Sequence, residues 1–265
     1  MKHFILKSIL STVLVSSLIS CDKDDDDDYQ APVNNNDVTI TVAAGDSAVV
    51  LPVLNQFRAA IGDPVNAVPI ATGGRREVNW DGVSPSLTNN NNFPIDFFNS
   101  TDPAVGNGRK RGLQYANNGT LLRVDSTDFS EIDPSYGAQF EAFSRKRLIA
   151  PVGTNITEIV FKVPGTNTDA FVKAFALIFS DVDLPNTTTV ELFDGNTSLG
   201  IAKALPSNGK YSFVSLRVQT RRITRIKITT GNAALATGVK DISDNGSKDL
   251  VVMDDFFYSE PVVIQ

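Results

Sequence analysis

The hydrophobic positions of this chain mostly repeat with the two-residue period of β-strands. Short runs rich in Val, Ile, Thr and Phe are separated by Gly, Pro, Asn and Asp, which favour turns. Within 225–229, isoleucines alternate with Arg and Lys, so one face of this strand is expected to meet a core and the other water. The clearest predicted strands are 38–42, 121–124, 158–163, 174–179, 190–193, 198–202, 213–218, 225–229 and 251–258.

One segment departs from the strand pattern. In 50–61, Leu51, Leu54, Phe57 and Ile61 lie three or four residues apart, which is the spacing of one face of an α-helix. A Gly-Asp-Pro sequence follows directly, and both Gly and Pro favour the end of a helix. We therefore predict one short helix near the start of the domain.

Turn residues connect the strands closely enough for antiparallel pairing. An Asp-Gly-Asn sequence at 194–196 separates the strands 190–193 and 198–202, and these residues adopt the conformations that a tight hairpin needs. Strands at this spacing over about 200 residues usually close as two sheets over one core. We predict an all-β fold, namely a jelly-roll-like antiparallel two-sheet sandwich with one short N-terminal helix, as a single domain at 37–265.

The start of the chain has the features of a secretion signal. Lys2 precedes an apolar run at 4–19 that is too short to span a bilayer permanently. The run leads to the only cysteine of the chain, and Leu-Ile-Ser-Cys at 18–21 resembles the bacterial lipobox, whose cysteine is acylated. We predict a lipoprotein signal peptide at 1–20 and lipidation of Cys21. The alternative is a plain signal peptide beside an incidental cysteine.

An acidic run follows the predicted lipid site. Residues 22–28 comprise six aspartates and one lysine, and self-repulsion keeps such a run extended. Since Pro and Asn residues continue it, we predict an acidic disordered tether at 21–36. Its composition also resembles the surface-export signal of lipoproteins in one large group of Gram-negative bacteria. We expect an outer membrane lipoprotein that faces the cell exterior and contacts the membrane through its lipid anchor; the simpler alternative is a solvated spacer.

Charge and residue inventory exclude several kinds of function. Of the total charge of −6, two leader lysines contribute two positive charges and the run at 22–28 five net negative ones, which leaves −3 for 29–265. This nearly neutral domain lacks the basic field that nucleic-acid binding requires. His3 leaves with the leader and Cys21 is consumed by lipid. Nucleophilic triads, disulfides and zinc sites built on imidazole or thiolate are therefore not expected.

The only tryptophan lies in a charged segment. Trp80 could stack on a sugar ring while neighbouring polar groups bond its hydroxyls, which makes Arg76, Glu77, Trp80 and Asp81 candidate ligand-binding residues. The alternative, which is commoner in sandwiches, is a core tryptophan beside arginine and carboxylate side chains that pair with each other.

Two further acidic segments have the composition of a site for a hard cation. Asp181 and Asp183 alternate at the end of an apolar strand, so their carboxylates point to the same side. Asp255 lies beside Asp254 in the apolar final strand, where an inward-facing charge needs a partner. That partner is either an arginine such as Arg76 or calcium, which takes about six to eight oxygen ligands. The candidate calcium ligands are Asp181, Asp183 and Asp255, and no other cofactor is expected.

Five segments together resemble an uncharacterised family of secreted bacterial proteins. They occur in order over most of the domain, at 74–83, 147–153, 179–183, 230–234 and 251–261. The resemblance implies an extracellular location and a single domain, and it implies no reaction. The paired aspartates before the last aromatic strand are also similar to the final strand of jelly-roll carbohydrate-binding modules.

Three hypotheses of function follow. The first is a non-catalytic lipid-anchored surface protein that binds a glycan or another extracellular ligand. The second is a glycan hydrolase that uses two carboxylates among Glu77, Asp81, Asp181, Asp183 and Asp255. The third is a structural or adhesive envelope protein, which predicts that the motif residues are buried and mutually paired. We expect binding rather than catalysis because aromatics are few and no insertion forms a cleft; the sequence indicates no oligomeric state.

Overall fold

The chain folds into two antiparallel β-sheets and one α-helix within the residues that the computed structural model describes. These residues are 28–35, of which only the backbone is described, 37–116 and 118–265. The predicted signal peptide at 1–20, the lipid site Cys21 and the acidic run at 22–27 lie outside them. In the described part of the chain, no helix has both the length and the apolar character needed to cross a bilayer.

The helix and strands are named in chain order. The helix α1 covers Ser47–Ile61, and the strands are β1 Asp28–Asn35, β2 Val38–Gly45, β3 Arg75–Val78, β4 Leu113–Tyr115, β5 Leu121–Asp125, β6 Leu148–Val152, β7 Ile156–Lys162, β8 Asp169–Phe171, β9 Ala174–Val182, β10 Thr189–Asp194, β11 Thr197–Lys203, β12 Ser207–Val218, β13 Arg225–Thr229, β14 Val252–Ser259 and β15 Val262–Val263. Short 3₁₀ helices in the connections are Pro85–Leu87, Asn107–Arg109, Pro134–Ala138 and Ile242–Asp244.

The strands form two sheets that pack as a sandwich. The larger sheet has the order β1-β2-β12-β9-β14-β6-β5, with β3 paired to β14, and the smaller has the order β11-β10-β13-β7-β8-β15, with β4 paired to β7. The predicted hairpin is present as β10 and β11, whose last pair joins Asp194 and Thr197. The prediction of an antiparallel two-sheet sandwich with one helix is confirmed.

The central strand β9 is buried along its whole length because both faces of the larger sheet are covered. Phe175, Leu177 and Phe179 enter the main core between the two sheets. Ala176 and Ile178 point the other way and pack in a second cluster beneath α1. A strand covered on both faces has no polar side, which explains the continuous apolar run at 174–179.

The helix α1 lies on the outer face of the larger sheet. Asp46 caps its start by accepting a hydrogen bond from the backbone N of Ala48 at 2.7 Å. Its buried residues are Val50, Val53, Leu54 and Phe57. Leu54 and Phe57 are buried as the sequence pattern indicated, whereas Leu51 is 42 % exposed and Ile61 only partly buried. Val50 and Val53 complete the buried face.

The strand β1 covers part of the segment that we predicted as a tether. Its backbone pairs with β2 at the edge of the larger sheet, from Asp28 opposite Ala44 to Asn35 opposite Val38. An edge strand offers a row of free N–H and C=O groups, and main-chain pairing with it requires no apolar side chains. The polar composition of this segment therefore gave no signal of a strand.

Candidate functional site

Trp80 is fully buried and presents no ring face to solvent. It follows β3, and its ring packs edge-on against Phe256 and Phe98, with centroid separations of 5.0 and 6.4 Å. Stacking on a sugar needs an exposed face, so this position does not support the predicted stacking role. The alternative, a core tryptophan, is the arrangement that the structure shows.

Arg76 is also fully buried and forms an ion pair with Glu260. Its Nη2 lies 2.6 Å from Glu260 Oε1 and its Nε lies 2.6 Å from Oε2, a bidentate geometry. The carbonyls of Asn66 and Pro69 accept the remaining bonds, each at 3.2 Å. Arg76 thus neutralises a carboxylate that the sequence analysis did not single out, because 184 residues separate the partners.

Glu77 and Asp81 also bond to protein groups. Arg58 and Arg75 donate to Glu77 at 2.8 and 2.7 Å. Burial acts to raise the pKa of Glu77, but these hydrogen bonds outweigh it and lower the pKa. A carboxyl that stays ionised is unsuited to act as a general acid. Asp81 accepts a bond from the backbone N of Lys146 at 3.2 Å, so the predicted ligand residues of this segment serve internal contacts.

The acid pair of β14 sits at a β-bulge, where the register shifts between Asp254 and Phe256. Asp254 Oδ2 accepts bonds from the backbone N of Phe143 and Ser144 at 2.7 and 3.1 Å. Asp255 Oδ1 accepts the Ser144 hydroxyl at 2.6 Å. Among the described residues, neither aspartate forms an ion pair, so the expected arginine partner is replaced by backbone and hydroxyl donors.

Both acids of this pair have raised pKa values. Burial raises the pKa of Asp255 to about 6, and the charge of Asp81 adds to the effect while Arg58 opposes it. Burial, and then repulsion from Asp255, raise the pKa of Asp254 well above its usual range. A group with a raised folded-state pKa stabilises the fold fully below its unfolded pKa, about 4 for Asp, and this contribution is lost as pH rises through the folded value.

The Asp255→Asn variant is expected to gain stability relative to the wild type as pH rises from 5 to 8. Asparagine keeps an oxygen that can accept the Ser144 hydroxyl but cannot ionise, so the variant escapes the loss that the wild type undergoes between about pH 4 and pH 6. Since about one pH unit of this window lies above pH 5, the relative gain should be about 1–2 kcal/mol in the free energy of unfolding, measured by urea denaturation at both pH values. If the difference in free energy of unfolding between the variant and the wild type is the same at pH 5 and pH 8, the raised pKa of Asp255 is contradicted.

Three carboxylates from distant segments meet where β9 ends. Asp181, Asp183 and Asp241 each place one oxygen within 4.8 Å of the others. Asp181 is the penultimate residue of β9 and Asp183 follows the strand, while Asp241 precedes a 3₁₀ helix. Asp181 and Asp183 do lie together as predicted, but Asp181 has a left-handed backbone conformation (φ 66°), so regular strand alternation is not the cause. Asp241 completes the group, and Asp255 does not belong to it.

The loop that carries Asp241 is held rigidly. The carboxylate accepts bonds from the backbone N of Leu250 and of Ser243, each at 2.7 Å, and from the Ser243 hydroxyl at 2.6 Å. A Cβ on Gly246 would overlap the carbonyl of Lys240, so only glycine fits this close approach of the backbone. The position of Asp241 is therefore fixed by local structure.

Several buried oxygens in this group have no hydrogen-bond partner among the described residues. Asp181 accepts a bond from Gly209 N at 2.6 Å and Asp183 one from Asn208 Nδ2 at 2.7 Å, in each case through Oδ1. The Oδ2 atoms of both aspartates form no bond, and neither does Oε1 of the buried Gln139. An unpaired buried polar atom costs about 1–3 kcal/mol, so these atoms call for an explanation.

The charges of the group repel one another. Burial raises the pKa of Asp181 to about 6. Burial, the close approach of the Asp241 carboxyl group and repulsion from Asp181 raise the pKa of Asp183 to about 8. Asp249 is also close, since its Oδ1 accepts a bond from the backbone N of Asp183 at 3.0 Å. Within the described part of the chain, no Lys or Arg forms an ion pair with any of these four aspartates.

A polar pocket of about 380 Å³ opens over this group. Its polar lining consists of Ser135, Gln139, Asp181, Asn208, Ser243 and Asp244. Sequence reasoning found Asp181 and Asp183 but missed Asp241, Asp249 and Gln139. A lone Asp or Gln in a loop carries no sequence signal of being next to a strand end 40 or more residues away.

Comparisons with known proteins give no evidence of function for this chain. No family model matches the chain, and no curated protein matches it. The chain is weakly similar to a solved structure of a mutant family 29 carbohydrate-binding module. The match covers 56 % of this chain and 92 % of that module, with 9 % sequence identity and a TM-score of 0.24. A similarity this low supports no inference about function.

Proposed function

We propose that this chain is a lipid-anchored, non-catalytic surface protein that binds a glycan or another hydroxyl-rich extracellular ligand in the acidic pocket. The observation that carries the proposal is a set of buried, unpaired oxygens on Asp181 and Gln139, which line that pocket, and on Asp183 of the same acidic group. The leader and Cys21 support the location outside the cytoplasm.

A purely structural protein would pair its motif residues internally. The segment around Trp80 follows this rule, because Arg76 and Glu77 are ion-paired and Trp80 is in the core. The pocket does not follow it. Buried carboxylate oxygens without partners lower the stability of the fold. Proteins retain such destabilising arrangements mainly at functional sites.

The pocket matches the chemistry of a sugar better than that of an apolar molecule. Carboxylate and amide oxygens accept bonds from hydroxyl groups, and the side-chain amide of Asn208, which uses one of its two hydrogens on Asp183, can also donate. A volume of about 380 Å³ is at the small end of ligand pockets, which suits one or two sugar units. Since no aromatic residue among the described ones lines it, hydrogen bonds must supply most of the affinity.

Filling the pocket should abolish ligand binding. Ala138 is exposed at the pocket wall, and an Ala138→Tyr variant would occupy the space without changing the charge. We expect the full chain to bind at least one polysaccharide on a glycan array, and this variant to bind at least tenfold more weakly. The matched control is Leu121→Tyr, at a side chain that is 52 % exposed on β5, and its binding should not change. Absence of binding to every glycan, or equal loss in both variants, would reject the proposal.

A carboxylate-dependent glycan hydrolase is the second candidate, favoured by the raised pKa of Asp183. A general acid must hold its proton near neutral pH, and a pKa of about 8 satisfies this condition. The glycans that bind should therefore be incubated with the wild type and with Asp183→Asn, and released reducing ends measured. Release by the wild type that the variant loses would favour the hydrolase, whereas no release leaves binding as the function.

A further inference from the structure

The oxygens of the acidic group have the spacing of a calcium coordination shell. Calcium binds oxygens at about 2.3–2.6 Å, so two ligands of one ion lie at most about 4.6–5.2 Å apart. The oxygens of Asp181, Asp183 and Asp241 lie within 4.8 Å of one another, which is inside this limit. The three carboxylates are therefore close enough for small side-chain rotations to bring one oxygen of each onto a single ion.

The unpaired oxygens point independently to a bound cation. The Asp181 side chain is fully buried, yet its Oδ2 accepts no hydrogen bond from any described residue. Gln139, which is 91 % buried on the wall of the same pocket, leaves its Oε1 without a partner. Oxygens that find no donor within the protein are the atoms expected to ligate a hard cation, because calcium takes carboxylate and amide oxygens alike.

The charge of the group is not balanced by the described part of the protein. None of its Lys or Arg side chains forms an ion pair with the aspartates, and Lys240, the nearest basic residue in sequence to Asp241, binds Asp244 at 2.8 Å. Buried charges of one sign are costly unless paired with a counter-ion. A divalent cation would supply the missing positive charge.

We infer that Asp181, Asp183 and Asp241 form a Ca²⁺ site at the base of the pocket, with the Gln139 amide oxygen as a further ligand. Asp249 positions the site, because its two oxygens already accept bonds from the Asp183 backbone N and the Thr187 hydroxyl. The site lies where β9, β12 and β14 begin or end, so the ion ties two loops to the centre of the larger sheet. The ion would take the same unpaired oxygens on which the proposed glycan binding rests, but Ca²⁺ binding itself requires no glycan.

Calcium alone is the probe that tests this site. The full chain should be stripped with a chelator, and its melting temperature followed as CaCl₂ is added at constant ionic strength. Extracellular calcium modules have dissociation constants on the order of 10⁻⁴–10⁻³ M, so the titration should reach about 10 mM. At 10 mM, which is about 10 to 100 times these dissociation constants, we expect a rise of about 3–10 °C. MgCl₂ should raise the melting temperature far less.

Two variants distinguish a specific Ca²⁺ site from non-specific attraction of Ca²⁺ to acidic residues. Asp181→Asn should weaken Ca²⁺ binding at least tenfold by isothermal titration calorimetry. Asp169→Asn removes an exposed carboxylate of β8, outside both the oxygen group and the pocket lining, and should bind Ca²⁺ like the wild type. Both variants retain the acidic run at 22–28, so weak binding to that run contributes equally. Without metal, Asp181→Asn should melt no lower than the wild type, since it removes one of several repelling charges.

The outcomes distinguish this inference from the glycan proposal. A melting temperature that responds equally to Ca²⁺ and Mg²⁺, or an Asp181→Asn variant that keeps the full Ca²⁺ response, would overturn the calcium site. The Ala138→Tyr variant should still bind Ca²⁺, because the ion lies beneath the space that the tyrosine fills. Calcium binding without any glycan binding would therefore refute the proposed function alone.

Discussion

The Trp80→Ala variant is expected to unfold with a free energy about 3–5 kcal/mol lower than that of the wild type. The ring is fully buried, and it packs against Phe98 and Phe256 between β14 and the loop at 97–98. Truncation removes this apolar contact and leaves a cavity that close-packed neighbours fill only in part. Urea denaturation monitored by far-UV circular dichroism measures the change.

Two controls show whether the loss comes from burial. Ile70→Ala also truncates a large apolar side chain, but Ile70 is 85 % exposed, so its free energy of unfolding should change by less than about 0.5 kcal/mol. Trp80→Phe keeps an aromatic ring in the core and should lose less than the alanine variant. If Trp80→Ala remained as stable as the wild type while losing glycan binding, Trp80 would be a ligand residue after all.

Breaking the buried ion pair should have an effect of similar size. Arg76→Met removes the guanidinium and leaves the Glu260 carboxylate, whose side chain is 5 % exposed, without its two charged hydrogen bonds. An uncompensated buried charge typically costs about 3–5 kcal/mol. The free energy of unfolding of this variant, measured at pH 7 by urea denaturation, should fall by that amount.

The double variant identifies the cause of this loss. Replacing both partners, as Arg76→Met with Glu260→Gln, removes the unpaired charge and should recover a substantial part of the lost stability. Asp169→Asn is the control for an exposed pair, because Asp169 bonds Lys162 on the surface with 71 % of its side chain exposed. That control should show no measurable loss. A double variant no more stable than Arg76→Met alone would assign the loss to packing instead.

The sequence determined the fold class through local periodicity. Alternation at 225–229 and the Asp-Gly turn of the β10–β11 hairpin depend on neighbours within a few residues, and both were predicted correctly. The edge strand β1 was not predicted, because its pairing with β2 uses main-chain groups that every sequence has. The buried face of α1 was predicted in part: Leu54 and Phe57 are buried, but Val50 and Val53 are buried in place of Leu51, since the outer sheet face selects among several apolar positions on the helix.

The candidate site also combines features that the sequence predicted with features that only the tertiary structure shows. The sequence predicted from strand alternation that Asp181 and Asp183 lie on one side, and their carboxylates do meet, although the left-handed backbone of Asp181 interrupts that alternation. Only the tertiary structure added Asp241 to them and assigned Asp255 to a separate pair with Asp254. Only the tertiary structure shows that Arg76 pairs with Glu260 and that Trp80 lies in the core.

What the sequence by itself determined is therefore the strand pattern, the chemical types present and the predicted lipid anchor at Cys21. Which side chains meet, and which are left unpaired, only the tertiary structure decided. The physical reason is that periodicity and turns act over a few residues, whereas a site is assembled by sheet pairing between segments far apart in the chain. The acidic pocket at the end of β9 is the product of that assembly.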